Sequence, residues 1–210
     1  MRINDYLNSL NAKSDSLFLQ IVGPFFDESV ALKEPVIFVD GGVQYRKRNI
    51  GFSVGDGDSS SVPLDQKLNA EKDFSDLSFV LKRIPENLQK IYLLGFLGHR
   101  QDHQLMNLAE VHRFLKTKVN VPTRAQFDQS LFAVSKGNWK FDIHGIFSLF
   151  SFEEITLSLS GACKYRLGPN EKFQQLSSQG LSNVGHGEIQ LTVTSPLFIF
   201  AQAPLLLSEF

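Results

Sequence analysis

The sequence is short of several things, and each shortage excludes something. It has a single cysteine, Cys163, in 210 residues, so no disulfide can form within the chain. No histidine stands near Cys163 in the sequence, and the thiol reads as a small strand residue and not a reactive thiolate. One cysteine also fits a reducing compartment. Excess charge of one sign is missing: 21 Lys and Arg stand against 22 Asp and Glu, for a net charge of -1. That excludes a general polyanion-binding surface, and the cluster Arg46, Lys47, Arg48 is too short to reverse it. Long hydrophobic runs are missing as well. The greasiest segments, such as 146–152, have strand length, well short of the roughly 20 residues of a membrane span. The opening residues lack the continuous apolar run of a signal peptide. The expectation is a cytoplasmic protein with no nucleic-acid and no membrane partner. Internal repeats and low-complexity tracts are absent.

What remains is an ordinary globular composition, with 42% hydrophobic and 20% charged residues, enough for one large domain or two small ones. Nineteen phenylalanines promise a core rich in aromatic rings. Between residues 17 and 120, short apolar runs alternate with helical patterns. The runs are 17–22, 36–39, 51–54 and 91–94, each bounded by Gly, Pro or Asp as buried strands are. Leu77, Val80, Leu81 and Ile84 share one helical face, with Ser75 as the N-cap. Leu105, Leu108, Val111 and Leu115 share another. Such alternation predicts a parallel sheet with helices on its faces. After about residue 130 the period becomes two, as in Ile155, Leu157, Leu159 and in Ile189, Leu191, Val193, which marks half-buried antiparallel strands. Further strands are expected at 130–134, 139–143, 146–150, 164–167 and 197–201, separated by turns at Gly137-Asn138, Gly145, Gly161, Gly168-Pro169 and Ser195-Pro196. The fold class is therefore α/β: an N-terminal parallel-sheet α/β domain, residues 1–125, followed by a small C-terminal antiparallel β-sandwich domain, residues 126–210.

The acidic residues fall where chemistry is expected. The run 36–39 ends in Asp40-Gly41-Gly42, the run 51–54 in Gly55-Asp56-Gly57-Asp58-Ser59, and the run 91–94 in Gly95, then Gly98-His99-Arg100-Gln101-Asp102-His103. In a parallel sheet these ends lie on one edge, where open α/β sheets bind ligands. Asp40, Asp56, Asp58 and Asp102 would then converge. Gathered carboxylates repel one another and suit a divalent cation, and hard oxygen ligands suit Mg²⁺. Glycines beside them let phosphate approach the backbone, and Arg100 can grip phosphate with two parallel hydrogen bonds. The set reads as metal-assisted chemistry on a polyphosphate. Singly, each motif is also an ordinary turn, and Ser75 with Asp76 is adequately explained as a capped helix start. Trp139, the lone tryptophan, reads as core. His144 and His186 have no metal-ligand spacing with each other or with Cys163, so no zinc site is expected.

The order of these motifs resembles that of the thiamine pyrophosphokinase (thiamin diphosphokinase) family. Val39-Asp40-Gly41-Gly42-Val43, Gly55-Asp56-Gly57-Asp58-Ser59, Asp73-Phe74-Ser75-Asp76 and Gly98-His99-Arg100-Gln101-Asp102-His103, with Asn107, are similar to its A-D-G-G-A, G-D-x-D-S, D-x-T-D and G-G-R-x-D-H landmarks. Ser148-Leu149, the stretch Gly161–Leu167 and Gly180-Leu181-Ser182-Asn183 are similar to its S-L, G-x-K-Y-x-L and G-x-S-N. The likeness covers roughly residues 17–203. Departures are His99 for the second Gly of G-G-R, Ser75 for Thr, Gln179 before Gly180, and Val184-Gly185 after the S-N pair.

The resemblance implies an enzyme that transfers diphosphate from ATP to the thiamine hydroxyl, leaving AMP. It implies Asp56, Asp58 and Asp76 as Mg²⁺ ligands, with Arg100 and Asp102 joining them as catalytic residues. Asp40, Gly41, Gly42, Asp73, Ser75, His99 and Asn107 fall to the nucleotide, and Ser182 and Asn183 to thiamine. A homodimer with the thiamine site at its interface is also implied. Rival expectations are a diphosphokinase with a different acceptor, motivated by the changes after Asn183; a catalytically silent thiamine- or nucleotide-binding protein, motivated by His99; and a metal-dependent phosphohydrolase.

Overall fold

The computed structural model describes residues 2–11, 18–47, 50–98 and 100–209. The chain divides into two compact units, Met1–Val111 and His112–Phe210. In the first, α1 (Ile3–Asn11) leads to β1 (Phe18–Val22), β2 (Val36–Val39), a 3-10 helix (Asp40–Tyr45), β3 (Phe52–Gly55), the two-residue β4 (Gln66–Lys67), α2 (Asp76–Leu81) and β5 (Lys90–Leu94). Helix α3 (Gln101–Thr117) begins here, and its last turns, from His112, belong to the second unit. The five strands pair in parallel in the order β5-β1-β2-β3-β4. The chain thus steps one way from β1 to β4 and returns to the far side of β1 with β5, which puts a topological switch point beside β1.

Two of the expected runs became strands buried on both faces, and β1 and β5 alternate buried with less buried residues over part of their length. All four residues of β2 and all four of β3 are buried, as continuous apolar runs in covered parallel sheets are. Ser75 caps α2 as expected, its Oγ accepting from Ser78 N at 3.0 Å. The helix stops at Leu81, so Ile84 lies beyond it; Pro85 disfavours helical backbone at the residue before it. On α3 the buried stripe is Leu108, Val111 and Leu115, joined by Phe114, while Leu105 is 50% exposed. Helix α1, which the sequence reading left unassigned, is tied to the sheet by Tyr6. Its hydroxyl donates to Val36 O and accepts from Val36 N, both at 3.1 Å, and its ring stacks on Phe52.

The second unit contains β6 (Arg124–Phe127), β7 (Leu131–Val134), β8 (Gly137–Phe150), β9 (Ile155–Cys163), β10 (Leu167–Phe173), β11 (Asn183–Val193), β12 (Leu197–Ala201) and β13 (Leu206–Glu209). All pair antiparallel, in the order β10-β9-β11-β8-β12-β7-β6. The two strands expected at 139–143 and 146–150 are one. Gly145, read as a turn, sits inside β8 at φ 151 opposite Gly185. On its other edge β8 pairs with β13 over Trp139–Asp142 and with β12 over Phe147–Phe150. Of the strand expected at 164–167 only Leu167 is extended in the sheet: residues 164–166 turn, and β10 starts at Leu167 and runs through Gly168-Pro169. Proline is tolerated there because β10 is an edge strand whose ladder already slips between Leu167 and Glu171. The alternating residues of β9 and β11 share one core cluster with Phe141, Phe147, Leu149 and Ile199. Trp139 belongs to it, 2% exposed, with Nε1 donating to Ser135 O at 2.9 Å. Among the described residues, no helix is long and apolar enough to cross a membrane.

Candidate functional site

Parallel strands deliver their ends to one edge, and three carboxylates meet there. Asp40 follows β2 directly, at φ 51, a left-handed conformation that Asp tolerates better than most residues. Asp56 follows β3, and Asp76 opens α2 behind its Ser75 cap. One side-chain oxygen from each of Asp40, Asp56 and Asp76 lies within 4.8 Å of the other two, and all three residues are half-buried. A lysine stands among them. Lys72 Nζ is 2.6 Å from Asp56 Oδ2 and 3.2 Å from Asp76 Oδ1, with its side chain only 8% exposed. The charge balance is incomplete, because Oδ1 of Asp40 and Oδ1 of Asp76 are buried without any hydrogen bond. For Asp76 the ammonium is near enough for ionic attraction but out of line for a hydrogen bond.

The titration behaviour follows from this placement. Burial pushes the Asp76 carboxyl up to about 6, helped by the charges of Asp56 and Asp40 and resisted by Lys72. Burial also raises Asp40, with the Gly41 N–H and the Ser59 hydroxyl pulling the other way. Asp56 is lowered, chiefly by its hydrogen bond from Lys72. For Lys72 burial is the largest influence and opposes the charge, but the pull of Asp56 and Asp76 together exceeds it and the pKa is raised. Opposed shifts within one cleft make it a candidate functional site.

The carboxylates line a cavity of about 290 Å³. Pro24, Phe25 and Phe96 form apolar walls, and Asp58, Ser59, Ser75, Gly98, Arg100, His103 and Asn107 complete it. Ser59 Oγ lies 3.1 Å from Asp40 Oδ2 and 2.8 Å from Asp58 Oδ1; its one proton serves one of them at a time. Arg100 makes a two-pronged pair with Asp102 at 2.6 and 3.2 Å, the side chains 62% and 65% exposed. The Arg100 guanidinium draws the Asp102 carboxyl down to about 2. Asn107 Nδ2 donates to Phe96 O at 3.1 Å and steadies that wall.

In the second unit, Asn183 is 5% exposed. Its Oδ1 accepts from Tyr165 N at 2.9 Å and Val184 N at 2.8 Å, and its Nδ2 donates to Tyr165 O at 2.7 Å. Three of the four hydrogen-bonding positions of the amide are spent on holding the turn that presents Lys164, Tyr165 and Arg166. Asn183→Ala should leave the Tyr165 N–H unpaired and its carbonyl with only the weak Cys163 thiol donor, at a cost of about 1–3 kcal/mol. For a chain of this size that lowers the melting temperature by roughly 2–4 °C per kcal/mol. An unchanged melting temperature in scanning calorimetry would refute the clamp. Ser182, at φ 56, is exposed, and its N–H donates to Ser148 Oγ at 3.0 Å.

No family model matches the sequence, and no curated protein matches it either. Solved structures do. The chain is similar to a thiamine pyrophosphokinase from Bacillus subtilis, with 23% identity, TM-score 0.64, and coverage of 88% of this chain and 98% of that one. The thiamin pyrophosphokinase from Candida albicans gives 12% identity and TM-score 0.66, over 93% of this chain and 89% of that one. That from yeast gives 11% identity and TM-score 0.62, over 98% and 90%. The chain has the thiamine pyrophosphokinase fold. At these identities the likeness is one of architecture, and it spans both units.

Within this thiamine pyrophosphokinase fold the residues singled out from sequence are placed unequally. Asp40, Asp56 and Asp76 come together. Asp58 lines the same cavity outside that tight group. Asp102 does not join the carboxylates and is engaged with Arg100 at the surface. Ser75, Arg100 and Asn107 line the cavity, whereas Asp73 is exposed and outside its lining. Gly41 and Gly42 are buried for a packing reason: a Cβ on Gly42 would stand 2.3 Å from Val22 O. His99 lies outside the described residues. Sequence reasoning missed Lys72, whose only local signal is its i,i+4 spacing to Asp76, and the walls Pro24, Phe25 and Phe96, whose signal was their place just beyond the ends of β1 and β5.

Proposed function

We propose that the protein is a thiamine diphosphokinase, moving diphosphate from ATP to the thiamine hydroxyl to give thiamine diphosphate and AMP. The observation that carries this reading is the meeting of Asp40, Asp56 and Asp76, from three separate segments, in one cavity of a chain with the thiamine pyrophosphokinase fold. The donor set fits Mg²⁺: hard oxygens only, two of them buried and unsatisfied. Asp56 and Asp76 would hold the ion, with Asp40 beside them and Asp58 at the rim. When bound, the ion neutralises charge on the polyphosphate and helps to align it.

The chain's own groups supply the rest. Arg100, its fork held in orientation by Asp102, meets phosphate oxygens at the mouth of the cavity. Ser75 Oγ accepts from Ser78 N, which leaves its proton free to donate to phosphate. Pro24, Phe25 and Phe96 offer apolar surface on which a flat ring can lie. The reading carries with it an α/β domain, residues 1–125, and a β-sandwich domain, residues 126–210, of which Ser182 and the Asn183-clamped turn serve thiamine. It also takes the protein as a cytoplasmic homodimer with thiamine at the interface. A diphosphokinase with another acceptor is the second reading, favoured by one observation: Asn183 spends both acceptor positions of Oδ1 and one of its two Nδ2 protons within its own unit, which leaves a single N–H to read a pyrimidine. Purified protein given ATP, Mg²⁺ and thiamine is expected to form AMP and thiamine diphosphate in equal amounts. ADP or inorganic phosphate as the product would overturn the diphosphokinase reading, and AMP formed only with another alcohol would establish the second.

A further inference from the structure

Lys72 is the charged group that the chemistry above leaves without a task. Its side chain is 8% exposed, against 11% for Asp76, 14% for Asp56 and 62% for Arg100, and its ammonium rests on Asp56 and Asp76 together. Both carboxylates expected to hold Mg²⁺ therefore already hold a cation. Mg²⁺ needs its oxygens at about 2.0–2.1 Å. An ion drawn that close to both Asp56 and Asp76 would occupy the space in which Nζ now lies. Two positive centres do not share such a space.

We propose that Lys72 is a tethered stand-in for the divalent ion. It neutralises the carboxylates until the ion arrives, then yields its place and turns its ammonium to the phosphates of the incoming substrate. The inference rests on the polyphosphate-and-metal reading of this cavity and deepens it. Three features of the site support it. One ammonium pairs with two members of a cluster of three carboxylates, and Asp40 and Asp76 each keep a buried oxygen without a hydrogen bond, so a doubly charged ion has more to gain there than a singly charged one. The lysine side chain is a flexible four-carbon stem ending in a compact charge, which lets Nζ move while its backbone stays fixed. Lys72 also lines the same cavity as Ser75 and Arg100, so a short swing leaves the ammonium among groups suited to phosphate. The ion and the polyphosphate are then coupled through the lysine, and the coupling is reciprocal.

The test uses the full chain and Mn²⁺ as the probe, with no nucleotide present, read by electron paramagnetic resonance. Lys72→Met keeps the stem and removes the competitor. It should bind Mn²⁺ about tenfold more tightly than wild type, within the ordinary span of coupling between sites. The Mn²⁺-loaded variant should bind inorganic tripolyphosphate about tenfold more weakly. Unchanged or weaker Mn²⁺ binding by folded Lys72→Met would overturn the proposal. Should that variant fail to fold, the wild type answers the question: acetylation of Lys72 by acetic anhydride, read by mass spectrometry, should rise several-fold on adding Mg²⁺ alone. Labelling that Mg²⁺ leaves unchanged or reduces would also overturn it. Equal Mn²⁺ binding by wild type, Lys72→Met and Asp56→Asn would mean that the ion binds elsewhere; the metal reading of the cavity would then fall first, and the role of Lys72 with it.

Discussion

Asp76→Asn is expected to lower turnover about a thousandfold, the scale on which pre-set electrostatic groups act, and yet to raise the melting temperature of the metal-free protein at pH 8. Both effects have one source. The Asp76 side chain is 11% exposed, and one of its oxygens is buried without a hydrogen bond. Its ionised form is opposed by burial and by Asp56 and Asp40. Asparagine keeps the shape and removes the charge. It gives up the attraction to Lys72, which still has Asp56, and some favourable interaction with the start of α2. The balance should be a gain of about 1 kcal/mol, in keeping with the usual trade between stability and activity at strained sites. Steady-state AMP release and differential scanning calorimetry read the two arms. A lower melting temperature together with lost turnover would make Asp76 a structural residue, and near-normal turnover would remove it from the site.

The second large effect is on pH. With its carboxyl raised to about 6 in the folded chain, Asp76 keeps a proton that the unfolded chain has already released. Its contribution to stability is therefore full below about pH 4 and lost as pH rises through 6. Asp40, also raised, acts in the same direction; Asp56, lowered, acts in the opposite one. Divalent-ion affinity runs the other way, because the ion must displace the proton. Between pH 8 and 6 the Mn²⁺ affinity should change little, and below 6 it should fall about tenfold per unit. Mn²⁺ titrations at pH 5, 6, 7 and 8 check this; equal affinity at all four would show that no raised carboxylate takes part.

Local chemistry explains which features could be read from the sequence. β1, β2, β3 and β5 were legible because each is a short apolar run cut off by Gly or Asp, and the Ser75 cap because capping involves residues three apart. Asp40 and Asp56 were legible by a topological step, since strand ends in a parallel sheet share an edge, whereas Asp76, at the start of α2, was marked by the family resemblance. The same step carried Asp102 too far. It sits on α3 beyond a longer loop, and Arg100, two residues away, claims it. β8 read as two strands because a glycine inside a strand and a glycine in a turn look alike until a partner strand, here with Gly185, is paired against it. β4, two residues long, is too short for any period to show. Asn183 looked like a ligand reader because its type and motif fit, whereas its occupation by Tyr165 is a tertiary fact. Lys72 was hidden for the same reason: its partner Asp56 is 16 residues away.

Asp40 and Asp56 each follow directly on a strand with no exposed residue. Their backbone has almost no freedom of its own, so like charges are brought together while the sheet assembles and not when a ligand arrives. The part of the repulsion that Lys72 does not offset is borne by the hydrophobic sheet, and an incoming cation finds its coordinating atoms already gathered.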